Sequence, residues 1–131
     1  MPVYNYVGEI CVEGIETFEE ILDSLKDKTI LVLDKCWDCW DKVYALLKER
    51  DMVDQTIFKF YLKDEEPMVW AKAHKDCIFI PMCGDPEMFP KLLELREHAG
   101  LPAVEILPHA EDEPIFFGGW KNITSRYGAI P

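Results

Sequence analysis

Basic residues are scarce in this chain: 14 lysines and arginines stand against 25 aspartates and glutamates, a formal net charge of -11. Such a surface repels nucleic acid and anionic membranes, so neither is an expected partner, and a cation is the more natural guest. Long apolar runs are missing too, since no stretch approaches the roughly 18 residues of a membrane-crossing helix. Residues 1–20 show neither the basic n-region nor the apolar h-region of a secretory signal. A cytoplasmic location is therefore expected. Cysteine is sparse and odd in number (Cys11, Cys36, Cys39, Cys77 and Cys83), which favours free thiols in a reducing compartment over a disulfide framework.

What is present suits one globular domain: 131 residues, 49% of them hydrophobic, bury a core without staples. Strand and helix patterns alternate along the middle of the chain. Thr17 with Glu20 forms a capping box, and Phe18, Ile21, Leu22 and Leu25 follow at helical spacing, predicting a helix over 17–26. Residues 30–33, all aliphatic, read as a strand buried on both faces. Asp38 or Asp41 is placed to cap a second helix carrying Val43, Leu46 and Leu47 and ending near Arg50. A second strand is predicted over 57–61, and then a helix capped by Asp64 with Pro67 in its first turn. A third strand follows over 78–82, then a helix opened by Asp85 and Pro86 with Gly100 as its C′ residue, and a fourth strand over 103–107. Strand starts near 30, 57, 78 and 103 recur at intervals suited to consecutive β-α units in a parallel sheet. The ends fit this rhythm poorly: a short strand is expected over 4–10, two turns containing glycine beyond 107, and a short amphipathic piece over 120–127.

The chemistry-bearing residues fall at strand ends. Asp34 closes the first buried strand and leads into a Cys/Trp-rich turn, at the edge where α/β proteins keep their sites. Lys59 lies inside an otherwise apolar strand, as does Glu105, and each needs a partner or a wet cleft. An ion pair between them satisfies both without any function. Cys36-Trp37-Asp38-Cys39 places a C-x-x-C at a strand-to-helix turn, the position of a thioredoxin-like redox pair, with Cys36 as nucleophile and Cys39 as resolving thiol. Trp37, Trp40, Trp70 and Trp120 read as core or interface anchors.

Residues 15–20, I-E-T-F-E-E, resemble the I-P-T-L-E-E segment of the glycerophosphodiester phosphodiesterases, TIM-barrel enzymes. The likeness continues through the following strands over about residues 15–116. It implies that Asp34 stands where the family has a ligand to a divalent metal, calcium or magnesium, while Cys36 falls on the family's lysine. It further implies that Glu105 is a second metal-binding acid and that Lys59 binds phosphate. The family's H-R-G, E-x-D and H-D segments, which supply the general acid/base histidines and two further acids, have no counterpart here; His74, His98 and His109 match none of them. Four β-α units are half of a barrel. The expected fold is thus α/β with a parallel sheet forming a partial (half) TIM barrel. The expected function is that of a truncated or degenerate phosphodiesterase relative that meets a glycerophosphodiester or phosphate-type small molecule, with no catalytic residue of its own. The alternatives are a redox protein and a non-catalytic interaction domain. The open edges of a half-barrel invite a homo-oligomer, with the strand over 4–10 as a further cover for one edge.

Overall fold

In a computed structural model of the chain, residues 16–107 are described, together with the backbone of two short strands before them. Those strands, β1 (Val3–Tyr4) and β2 (Ile10–Val12), pair antiparallel in a sheet of their own. The single strand expected over 4–10 is therefore two. The turns expected beyond residue 107, the piece over 120–127, His109 and Trp120 lie outside the described residues.

The remaining elements alternate: α1 (Phe18–Leu25), β3 (Leu31–Leu33), α2 (Trp40–Glu49), β4 (Thr56–Tyr61), α3 (Glu65–Ala73), β5 (Ile78–Cys83), α4 (Phe89–Arg96) and β6 (Glu105–Ile106). Every strand from β3 onward pairs in parallel with the next in sequence, in the order β3-β4-β5-β6. The four strands form a curled half-barrel sheet, an α/β fold with a partial barrel, as the β-α rhythm predicts. Register sets Leu33 beside Phe58, Phe58 beside Phe79, and Met82 beside Glu105.

Local chemistry explains most boundaries. Both arms of the capping box form: the Glu20 amide donates to Thr17 Oγ1 at 3.3 Å and the Thr17 amide donates to Glu20 Oε2 at 2.8 Å. The chain leaves α1 through Asp27 at φ 60°, and Gln55 holds that turn, donating to the carbonyls of Leu25 and Thr29 and accepting from the Asp27 amide. This fastening sets the height at which β3 meets β4. Three caps differ from expectation. Neither Asp38 nor Asp41 caps α2, which grows out of a 3₁₀ turn over Trp37–Cys39; Asp41 instead accepts from the Trp70 indole at 2.8 Å. Asp64 precedes α3, but its side chain makes no capping bond. Asp85 caps a 3₁₀ turn, Pro86–Met88, and α4 starts only at Phe89. Gly100 is no C′ residue: α4 ends at Arg96, and Gly100 bridges in parallel to Ile78. The strand expected over 103–107 contracts to Glu105–Ile106.

One core lies between sheet and helices, built from Leu22, Val43, Leu47, Phe58, Phe60, Met68, Phe79, Phe89, Leu92 and Leu95 around Trp40. The Trp40 ring meets Phe58, Phe60, Trp70 and Phe79 with centroids 4.9–6.0 Å apart, spacings typical of offset and edge-to-face pairs.

Candidate functional site

β4 shows how the sheet sorts its residues. Thr56, Phe58 and Phe60 are fully buried beneath the helices, whereas Ile57, Lys59 and Tyr61 alternate onto the opposite, concave face. Neighbouring registers place Ile78, Ile80 and Met82 of β5 and Glu105 of β6 on that face, and Val32 of β3 opposite Ile57. Asp34, one residue beyond β3, shares the side of Val32. The three residues singled out from sequence, Asp34, Lys59 and Glu105, thus meet on one surface near the C-terminal ends of parallel strands.

Lys59 is 16% exposed, and its Nζ reaches across β5 to Glu105 Oε2 at 2.5 Å. That hydrogen bond is the main reason the ammonium is held above its ordinary value, reinforced by the charges of Glu105 and Asp34 and opposed by burial. Lys59 is therefore a permanent cation with Glu105 as its direct partner and Asp34 as a more distant one. Lys35 follows in a left-handed turn, φ 55°, which carries it away from the site and swings the chain into the Cys36–Cys39 turn.

Two aromatic residues that sequence reasoning did not assign to the site stand beside it. Trp37 meets Tyr61 edge-on at 5.6 Å, and Lys63 Nζ lies 5.4 Å from the Tyr61 ring centre. A cleft of about 340 Å³ opens there between the loops after β3 and β4, lined by Trp37, Lys63, Asp64 and Glu66 among others. The signal was available: Tyr61 follows Lys59 at the two-residue period of a strand face.

The donor set for a divalent ion is incomplete. Glu105 is taken by Lys59, and among the described residues no group of three or more His, Cys, Asp or Glu side chains gathers to hold a metal. Among the described residues imidazole is likewise remote. His74 closes the C-terminus of α3, stacked on Trp70 at 3.6 Å, and His98 follows α4. Both positions lead back to the N-terminal end of the parallel sheet, away from Asp34.

The C-x-x-C pair sits at its expected strand-to-helix turn, with both thiols free, Cys36 half-buried and Cys39 exposed. Its electrostatics run against redox activation. Burial first and the adjacent Cys39 second push the Cys36 thiol up, the Trp40 indole opposes them, and the charge of Asp34 adds a smaller upward push, whereas a nucleophilic thiol needs its pKa lowered. Cys77 and Cys83 are buried in the core, and burial pushes Cys77 up to about 12. Among the described residues, no helix is long and apolar enough to cross a membrane. Compared with known proteins, the chain matches no protein-family model and no curated protein.

Proposed function

We propose that this chain is a degenerate relative of the glycerophosphodiester phosphodiesterases that binds a phosphate-bearing small molecule at Lys59 and does not hydrolyse it. One observation carries the reading: Asp34 after β3, Lys59 on β4 and Glu105 on β6 share one concave surface toward the end of the sheet where this architecture keeps its chemistry. An ammonium inside an apolar strand face is a fixed positive charge in a poorly hydrated setting, suited to one anionic oxygen. Glu105 then acts as an internal competitor that the anion displaces. Hydrolysis needs a proton donor and acceptor at the reacting oxygens, and the described residues place no histidine there. Trp37 and Tyr61 would offer an apolar wall for the glycerol part.

Isothermal titration with glycerol 3-phosphate tests this directly. Binding is expected for the wild type, lost in Lys59→Met, and tightened in Glu105→Gln, which keeps the side chain's shape but gives up its charge. The same titration with calcium or magnesium examines whether Asp34 and Glu105 recruit a metal together with the anion. Release of choline or glycerol 3-phosphate from glycerophosphocholine in either metal would refute the non-hydrolytic reading. Absence of binding by both wild type and Glu105→Gln would refute the whole assignment.

A further inference from the structure

β3 is an edge strand. β4 pairs with one side of it, and no described residue hydrogen-bonds to the other. The chain's own N-terminal strands do not join it, because β1 and β2 pair only with each other. Apolar side chains stand along this bare edge: Ile30 is 66% exposed and Val32 55% exposed. A groove of about 450 Å³ runs beside them between α1 and α2, with Phe18, Val43 and Leu46 as its apolar lining and Glu19 and Lys42 as charges. Neither Glu19 nor Lys42 takes part in an ion pair among the described residues. An unpaired backbone edge with exposed aliphatics is a template for another strand.

We propose that this edge docks a second copy of the chain, β3 pairing antiparallel with β3 of the other copy about a two-fold axis through Val32. The edge is self-complementary in that arrangement, so the contact closes at two copies. Val32 faces its own counterpart, Leu31 faces Leu33, and Asp34 faces Ile30 with Lys28 of the partner subunit on the diagonal, within reach of a cross-strand charge pair. Charge favours this surface over others. The chain as a whole carries -11, whereas the groove beside this edge mixes both signs, Lys42 with Glu19 and Asp34. The opposite edge is a poor substitute, because β6 has only two residues and Glu105 is committed to Lys59. Pairing through β3 would join two four-stranded sheets into one of eight strands.

Sedimentation velocity of the full chain tests the proposal. At a concentration on the order of tens of micromolar, the expected particle has twice the 15.2 kDa mass of one chain. Val32→Lys, which puts a charge on the edge, should give a monomer with an unchanged far-ultraviolet circular dichroism spectrum. Val69→Lys, at a site 64% exposed on α3, should remain dimeric. Lys28→Glu and Asp34→Lys should each weaken the dimer about tenfold or more, and the two together should restore it, which keeps the test decisive if Val32→Lys fails to fold. A wild-type monomer across that range, a dimer indifferent to Val32→Lys and the charge exchanges, or equal loss in Val69→Lys would each overturn the proposal. None of these readouts involves Lys59 or an anion, so the outcome stands apart from the phosphate-binding reading.

Discussion

Replacing Glu105 by alanine strands the Lys59 ammonium, which is 16% exposed, on a face formed by Ile57, Ile80 and Met82. A fully buried charge left without its partner costs about 3–5 kcal/mol, and an exposed ion pair contributes about 0–1 kcal/mol. Lys59 lies between these limits, and water still reaches Glu105 at 39% exposure. A loss of about 1–2 kcal/mol follows for Glu105→Ala, or roughly 5–10 °C in melting temperature for a core of this size. Lys59→Met should behave differently. It removes the charge that is costly to bury, keeps the length of the side chain, and leaves behind a carboxylate that solvent can hydrate, so its cost should stay below about 0.5 kcal/mol. Urea titrations of the two variants and the wild type, fitted with a common slope, measure the difference. The pH dependence adds a sign. Because Lys59 is held above its usual value near 10.5, its stabilising contribution is complete below that value and fades as pH rises through the folded one. The wild-type advantage over Glu105→Ala should therefore shrink in strong alkali. If Lys59→Met proves more damaging than Glu105→Ala, the account of Lys59 as a desolvated cation relieved by Glu105 is wrong.

Three further perturbations test separate parts of the structure. Among the four described cysteines a disulfide reagent should modify exposed Cys39 first and Cys36 more slowly, leaving Cys77 and Cys83 protected until unfolding; wild-type protein in which Cys36 is labelled ahead of Cys39 would refute the stated electrostatics. The Tyr44 hydroxyl donates to Asp76 at 2.7 Å and, followed by Lys48, holds that carboxyl below its usual value near 3.8. This stability is present above 3.8 and is lost as pH falls through the folded value, so Tyr44→Phe should melt lower at neutral pH, with the gap closing in acid; a gap that widens would contradict it. Trp40→Ala should cost about 3–5 kcal/mol in denaturant titrations by emptying the middle of the core. Trp40→Phe should cost far less, since it keeps an aromatic ring against Phe58, Phe60 and Phe79.

Particular residues show how much of this was legible beforehand. The alternation of short apolar runs with helical periods located β3, β4 and β5 within a residue or two, but the burial on both faces expected of residues 30–33 fails, because β3 is the edge strand and leaves Ile30 and Val32 exposed. Lys59 and Glu105 were conspicuous as charges inside such apolar runs, and the structure joins them as the ion pair that their apolar surroundings require. Caps were harder. Asp38, Asp41 and Asp64 all have a capping chemistry, but tertiary demands outweigh it: Asp41 is drawn to the Trp70 indole, 29 positions away in sequence, and a 3₁₀ turn takes the start of α2. Gly100 misled because a glycine after a helix usually ends it, whereas here it lies beside Ile78 in a parallel bridge. Tyr61 was signalled by its two-residue spacing from Lys59 on the strand face, but its meeting with Trp37 depends on how two successive strand ends come together, which no local pattern around Trp37 reports.

Because the strand order in the main sheet repeats the order in the chain, each strand emerging from the ribosome would find its partner already made. Assembly could then advance from one side only, adding a helix and a strand at a time, with no early segment waiting for a late one. A series of chains shortened from the C-terminus, still attached to the ribosome, should gain protease resistance in steps of one β-α unit.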